Sequence, residues 1–99
     1  KQRRERTRHL PEGYFGEPAW DILLDLFVAE AGAKTIPIGS ACVAGGVPPT
    51  TGLRWINVLV NDGLVDRFED QQDRRRILVR ITGRGKTVVD RILADRGAG

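Results

Sequence analysis

Apolar residues recur at helical spacing in several stretches of the chain. Between the third and the last of the predicted helices, apolar residues instead alternate with polar ones. A period near 3.6 is typical of a helix that buries one face, whereas a period of two is typical of a strand. The pattern predicts a first helix over residues 18–31 and a short second helix over 41–44 that starts at Gly39 or Ser40. A third helix is predicted from Pro49 to a stop at residues 61–63, and a last helix is capped by Thr82 and ends before Gly97. It also predicts two strands, 64–68 and 77–81, and a short edge strand over 34–38 that is broken by Pro37.

The segment between the two longer strands, 69–76, contains only charged and amide side chains, so the hairpin tip is expected to project into water. The helix before it begins at Pro49, which suits a first helical turn because its missing N–H would have no intrahelical partner there. Asn61, Asp62 and Gly63 supply the C-terminal stop. A helix followed by a basic hairpin is the outline of a winged helix-turn-helix. We therefore predict an α+β fold, mainly α, with a three-helix core, a β-hairpin wing and a C-terminal helix.

Several short motifs in this part of the chain resemble the MarR-type winged-helix transcription regulators. The matching positions run through residues 36–93 without an insertion and include Thr50, Thr51, Arg54, Gly63, Leu64, Val65, Asp73, Arg74, Arg75, Ile81, Thr82 and Gly85. Gly52 and Leu53 depart from the family pattern, which usually has an apolar and a small polar residue there. The resemblance implies a bacterial-type transcriptional regulator that binds specific double-stranded DNA, with a recognition helix in the major groove and an arginine-rich wing in the minor groove.

Four polar residues of the third helix are the candidates for contact with the major groove: Thr50, Thr51, Arg54 and Asn57. If Trp55, Ile56 and Leu59 face the core, the helical period turns these four towards solvent. Arg54 can donate two parallel hydrogen bonds to guanine O6 and N7. Asn57 is expected to pair with adenine, or else to cap the helix or contact a phosphate. The two threonines are expected to donate to phosphates or to meet a thymine methyl group.

Three wing residues, Arg74, Arg75 and Arg76, are the candidates for the minor groove and its phosphates. Asp73 is expected to pair with one neighbouring arginine and to hold the tip in shape. By resemblance, Arg75 is the residue expected to enter the minor groove, where narrow A·T-rich DNA concentrates negative potential. The other two arginines are expected to hold phosphates or to pair with Asp70 and Asp73. Arg84 and Lys86, near the start of the last helix, are further candidates for the DNA backbone.

Positive charge is concentrated in two places, although the net charge is only +3. Residues 1–16 carry Lys1, Arg3, Arg4, Arg6 and Arg8 among turn-forming residues, and we predict a flexible basic arm there, followed by a winged-helix domain over 17–97. The wing is the second cluster. Two basic clusters that flank a polar helix face suit a polyanion. For the arm, an ordinary solvated surface is an equal alternative.

The composition narrows the class of protein. A chain of 99 residues is expected to form one domain. Its single cysteine, Cys42, cannot form an internal disulfide, so we expect a protein of the reducing cytoplasm. If DNA is the partner, the protein is expected at the nucleoid. Cys42 is expected to be a small core residue. No apolar run approaches the roughly 20 residues that cross a bilayer. Because the sequence contains no methionine, we expect an excised domain of a longer chain.

Catalytic and cofactor motifs are missing from the sequence. It has no Ser-His-Asp or Cys-His set, no phosphate-binding loop and no zinc spacing, and its one histidine, His9, has no partner for catalysis. We therefore expect no enzyme activity, metal or cofactor. The alternative to DNA binding is a winged helix that acts as a protein–protein interaction module, which apolar Leu53 and Val58 favour. No motif identifies a small-molecule effector or a protein partner.

The interior and the oligomeric state are predicted in less detail. A core stripe is expected on the first helix (Trp20, Leu23, Leu24, Phe27, Ala31), with a second apolar face (Ile22, Leu26) for another subunit or for deep burial. The seam of the last helix is expected to be Val88, Val89, Ile92 and Leu93. Trp55 is expected to fill space left by Gly52. The resemblance implies a homodimer, but the family dimerises through both chain ends, and this chain has little beyond Leu93.

Overall fold

The computed structural model describes residues 17–98, so the predicted N-terminal arm lies outside the described residues. In this part of the chain the elements are α1 (Glu17–Ala31), β1 (Ile36–Pro37), α2 (Ile38–Ala44), α3 (Pro49–Asn61), β2 (Val65–Glu69), β3 (Ile77–Ile81) and α4 (Gly83–Ala98). Helices α1, α2 and α3 form the core, and β2 and β3 form the wing. The predicted winged helix-turn-helix is confirmed.

α1 lies at the centre of the core, and its buried face differs from the predicted stripe. The buried residues are Ala19, Trp20, Ile22, Leu23 and Leu26. The predicted second face, Ile22 and Leu26, therefore belongs to the core, because α2, α3, α4 and β3 all contact this helix. Leu24 and Phe27 are half-buried and Ala31 is exposed. The prediction of a core stripe extending to Ala31 was wrong, since packing from several sides shifts the buried arc.

The sheet has the order β1-β3-β2, and both pairings are antiparallel. Ile36 pairs with Val79 and Pro37 with Leu78, which confirms the predicted edge strand. Proline is tolerated at an edge because its missing N–H removes no hydrogen bond within the ladder. β2 pairs with β3 from Val65 opposite Ile81 to Glu69 opposite Ile77, so the wing is a regular hairpin up to its tip.

α2 begins earlier than the sequence predicts. It starts at Ile38, and the residue at its N-cap is Pro37, which provides no side-chain hydrogen bond. The prediction that Gly39 or Ser40 starts the helix was wrong, because the chain leaves the edge strand directly into the helix. Gly46 then turns the chain towards α3 with a φ of 69°, a left-handed conformation that favours glycine.

Gly52 lies where α3 crosses α2. A Cβ atom on Gly52 would lie 2.7 Å from the carbonyl oxygen and 2.9 Å from the Cα atom of Cys42. The backbone of α2 thus fills the space beside this glycine. The prediction that Trp55 fills it was wrong, and Trp55 is only half-buried. Cys42 itself is buried, as predicted, and burial raises the pKa of its thiol above the ordinary value.

Thr82 joins the wing to the last helix. Its Oγ1 atom accepts a hydrogen bond from the backbone N–H of Gly85 at 3.0 Å, which confirms the predicted N-cap, and donates to the carbonyl oxygen of Gly63 at 2.7 Å. α4 continues to Ala98, so the predicted end before Gly97 was wrong. In its predicted seam, Val88, Val89 and Ile92 are buried, whereas Leu93 is 40% exposed.

Candidate nucleic-acid interface

The outer face of α3 consists of five residues spaced at i, i+3, i+4, i+7 and i+11: Thr50, Leu53, Arg54, Asn57 and Asn61. They point outward because Gly52, Ile56 and Leu59 are buried on the opposite side. Of the four predicted contact residues on α3, Thr50 and Arg54 are exposed, while Thr51 and Asn57 are half-buried. The helix therefore presents a polar face with one apolar side chain, Leu53, in its middle.

The electrostatics of this face favour an anion. The first turn of α3 contains no acidic residue, and its N-terminal N–H groups carry partial positive charge. Among the ion pairs of the described residues none involves Arg54, so its guanidinium is available to a partner. A phosphate that approaches the start of α3 would meet these N–H groups and no acidic side chain of that turn.

The face of α3 is joined to the wing by a hydrogen bond between Asn57 and Arg67. The Nη1 atom of Arg67, on β2, donates to the Oδ1 atom of Asn57. Arg67 follows buried Val65 by two residues, and alternate residues of a strand share a face, so it extends from the face of β2 that packs on the core. The helix and the hairpin thus form one continuous surface.

Arg67 is the residue of this surface that the sequence analysis missed. Strand alternation from Val65 is the signal that places it on the inner face of β2. Its partner, ten residues earlier in another element, has no signal in the sequence. Within residues 17–98 Arg67 makes no ion pair with a carboxylate, so its charge is not neutralised by the protein.

The wing tip is shaped by two aspartates. The Asp70 carboxylate accepts a hydrogen bond from the backbone N–H of Gln72 at 2.9 Å, and the Asp73 carboxylate accepts one from the N–H of Arg75 at 3.2 Å. Backbone hydrogen bonds between Asp70 and Arg76 and between Asp73 and Arg76 close the turn. Local bonds from aspartate side chains to nearby N–H groups are typical of tight turns.

The three wing arginines differ in their partners. Arg75 pairs with Asp73, Nε to Oδ1 at 3.3 Å, although its side chain is 92% exposed. Arg76 pairs with Asp70 at 3.7 Å. Arg74 has no ion pair within the described part of the chain. Asp73 thus pairs with Arg75, and the expectation that it pairs with Arg74 or Arg76 was wrong, because the Nε atom of Arg75 lies next to the Asp73 carboxylate. The groove contacts themselves stay predictions.

A second group of charges lies at the start of α4. Glu30, at the end of α1, contacts Arg80 at 3.3 Å and Lys86 at 3.9 Å. Lys86, a candidate for the DNA backbone, therefore shares a carboxylate with Arg80. Arg84 is exposed, and its side chain lies near Gly63.

Among the described residues there is no group of three histidine, cysteine, aspartate or glutamate side chains that could hold a metal ion. No helix in the same part of the chain is long and apolar enough to span a membrane.

This arrangement of three helices, an arginine-tipped hairpin and a closing helix defines the winged-helix class, and solved structures with the same fold include MarR family regulators. The chain is similar to a MarR family transcriptional regulator from Silicibacter pomeroyi, with 22% sequence identity, a TM-score of 0.69, and coverage of 98% of this chain and 64% of that one. It is similar to a mutant of S. aureus MepR, with 16% identity, a TM-score of 0.77, and coverage of 98% and 69%. It is also similar to the heme sensor protein PefR from Streptococcus agalactiae, with 15% identity, a TM-score of 0.77, and coverage of 94% and 61%.

Sequence comparison gives no match: no protein-family model and no curated protein matches the chain. The likeness to known proteins therefore lies in the fold. The chain spans less than two-thirds of the Silicibacter and PefR chains.

Proposed function

We propose that this domain binds double-stranded DNA as part of a transcriptional regulator, with α3 in the major groove and the wing over the adjacent minor groove. In this proposal Arg54 reads guanine, while Thr50 and Thr51 contact phosphates or a thymine methyl group. Asn57 contacts the DNA farther along α3. Arg74, Arg75 and Arg76 contact the minor groove and its phosphates.

The observation that carries the proposal is the continuity of the α3 face with the wing. The bond between Asn57 and Arg67 links the outer face of α3 to β2 of the hairpin. A major groove admits an α-helix, and a hairpin beside that helix can follow the backbone into the next groove. Arg54, Arg74 and Arg75 are all exposed on these two elements.

For the wing, the contact of Asp73 with Arg75 competes with the proposed minor-groove contact of Arg75 but is weak enough to be replaced. An exposed ion pair of this kind is worth little in water, so a field of phosphates can compete for the guanidinium. Arg74, with no ion pair among the described residues, is the wing residue best placed to hold a phosphate without losing another contact.

The proposal includes a homodimer in the full protein. Twofold symmetry would place two copies of α3 about 34 to 36 Å apart on a palindromic site. The fold neighbours include PefR, a heme sensor, and BpsR, whose DNA binding is regulated by 6-hydroxynicotinic acid. By analogy, a small-molecule effector of the full protein is part of the proposal, and the DNA contacts do not depend on it.

The test is fluorescence anisotropy of a labelled duplex at several salt concentrations. Each phosphate that the domain neutralises should contribute a slope of about −0.9 to log K against log salt. The double variant Arg74→Ala/Arg75→Ala should bind more weakly and with a shallower slope. Its matched control is Lys34→Ala/Arg91→Ala, which removes the same charge from exposed positions outside α3 and the wing. Equal losses in the two variants, or no binding by the wild type at low salt, would contradict the proposal.

The second candidate function is a protein-interaction module, and the exposure of apolar side chains favours it. Leu53 is 38% exposed in the middle of the α3 face, and Val43 on α2 is 66% exposed. An apolar protein interface has little salt dependence, so the salt slope separates the two functions.

A further inference from the structure

One large apolar side chain interrupts the polar face that α3 presents to solvent. Leu53 is 38% exposed, and among the exposed large apolar side chains of residues 17–98 it is the one that lies on α3. Its neighbours one turn away along the helix, Thr50 and Asn57, are both polar. Packing within the domain therefore leaves part of this leucine in water, on the face that is proposed to meet DNA.

Leu53 lies in the part of α3 that is proposed to contact base edges. It is the fifth residue of a helix that starts at Pro49, and recognition helices contact bases with their N-terminal residues. It directly precedes Arg54, the residue proposed to read guanine. Consecutive side chains of a helix diverge by about 100°, so the two residues are expected to reach neighbouring base pairs and not the same one.

The chemistry of leucine restricts what this side chain can recognise. It has no donor or acceptor, so it forms no hydrogen bond with a phosphate or with a base edge. The apolar group by which proteins distinguish a base in the major groove is the C5-methyl group of thymine. Over the donors and acceptors of guanine, adenine or cytosine, a leucine would displace water without replacing its hydrogen bonds. Thymine is thus the base that gains most from contact with Leu53.

We propose that Leu53 is a specificity-determining residue that selects thymine through its C5-methyl group, at a base pair next to the guanine read by Arg54. The inference rests on the proposed DNA binding and deepens it, since the selected group is a methyl group and not a pattern of hydrogen bonds. Because 5-methylcytosine carries the same group on the same ring atom, the contact also makes binding sensitive to methylation of a cytosine in that place.

The experiment replaces thymine with deoxyuridine, one position at a time, in the preferred duplex selected from a randomised pool. Uracil lacks only the methyl group and keeps every donor and acceptor of thymine, so competition binding measures contact with that group alone. For the wild type, the change at one thymine beside the guanine should weaken binding about fourfold, the value expected for burial of one carbon group. At the same position, Leu53→Ser should bind the thymine and uracil duplexes equally.

Four further variants test whether the effect belongs to Leu53. Leu53→Met keeps an apolar side chain of similar volume and should retain the effect of uracil. Thr50→Ser and Thr51→Ser each remove a methyl group but keep the hydroxyl, and both should retain the effect at this thymine. Val28→Ser removes an exposed apolar side chain from α1 and should leave every base preference unchanged. Urea unfolding of each variant establishes that it is folded.

A second measurement uses duplexes in which cytosine replaces this thymine. Methylation of that cytosine at C5 should strengthen binding by the wild type, again by about fourfold. The Leu53→Ser variant should bind the methylated and unmethylated duplexes equally.

The inference is overturned if the preferred duplex has no thymine beside that guanine, or if the wild type binds thymine and uracil duplexes equally at every position. An effect of uracil that persists in Leu53→Ser also overturns it, and so does a methylated cytosine that gives no gain in affinity. In these cases the DNA binding stands. A wild type that binds no duplex at low salt instead overturns the proposed function, and the inference with it.

Discussion

α3 and the wing tip both present polar residues to solvent, but different forces hold them in place. The outer face of α3 is supported from behind by buried Gly52, Ile56 and Leu59. The wing tip contains no buried residue between 70 and 76 and is held by two aspartates that bond to nearby N–H groups and arginines. Close packing positions the helix, and exposed hydrogen bonds position the hairpin.

This difference assigns the two regions different tasks. Base reading needs side chains that are held within a fraction of an ångström, which a packed helix provides. Phosphates and the minor groove are read by charge and shape, which a more adaptable hairpin can follow. We therefore expect substitutions of the buried residues behind α3 to lower the free energy of unfolding. Substitutions at the wing tip are expected to change DNA affinity through charge.

The largest effect is expected from Gly52→Ala, which tests the support of α3. The added Cβ atom would lie 2.7 Å from the Cys42 carbonyl oxygen, and backbone atoms cannot move aside cheaply. Overpacking of this kind costs typically 1–3 kcal/mol, which exceeds the gain in helix propensity of about 1 kcal/mol. Urea unfolding measures the change. Gly39→Ala is the control, because nothing lies within 4 Å of its Cβ position, and equal stability of the two variants would mean that α2 and α3 do not cross tightly.

The next largest effect is expected from Arg54→Ala, which changes the outer face of α3 and leaves the buried residues behind that face unchanged. Loss of a bidentate contact with guanine should cost about 1 to 3 kcal/mol on the preferred duplex and relax one base position. Unfolding in urea should be unchanged, since Arg54 is exposed and has no ion pair in the described part of the chain. Arg91→Ala, which removes the same charge from an exposed position on α4, is the control. An unchanged affinity and base preference would remove Arg54 from the interface.

The sequence predicts those parts of this molecule that depend on local chemistry. Thr82 is recognised as an N-cap, Pro49 as a first-turn residue and Gly63 as a helix stop, because each role follows from the residue's own donors, acceptors or φ angle. The alternation of the wing strands gives the hairpin in the same way.

Features that depend on a distant element could not be predicted in this way. The role of Gly52 requires knowing that the α2 backbone crosses at that residue. The buried arc of α1 depends on how many elements surround the helix. The bond between Arg67 and Asn57 joins two elements whose separation in the sequence carries no periodic signal.

A smaller effect is expected from Asp73→Asn, which tests the wing tip. Asparagine keeps an oxygen that can accept from the N–H of Arg75, but it removes the ion pair with the arginine side chain. An exposed pair contributes about 0.2 to 1 kcal/mol, so urea unfolding should change by less than 1 kcal/mol. Binding to any duplex should strengthen at low salt, since one negative charge near the phosphates is gone. A loss of stability as large as that of Gly52→Ala would show that the contacts of the wing tip stabilise the whole domain.

The smallest effect concerns Cys42, whose thiol reports on the contact between α2 and α3. Burial raises the pKa of this thiol, so the folded chain holds the proton more strongly than the unfolded chain. The contribution of this thiol to the free energy of unfolding is present below the ordinary thiol pKa. It is lost as the pH rises from the ordinary pKa towards the raised pKa of the folded chain.

Labelling of Cys42 with iodoacetamide should therefore be slow in the folded chain and should proceed through opening of this contact. Gly52→Ala should accelerate the labelling, because Cys42 lies directly against that glycine. Asp73→Asn should leave the rate unchanged, because its contacts are confined to the exposed tip. Equal acceleration in both variants would mean that the wing and the helix pair open together, and the separation between a packed helix and an adaptable hairpin would then be wrong.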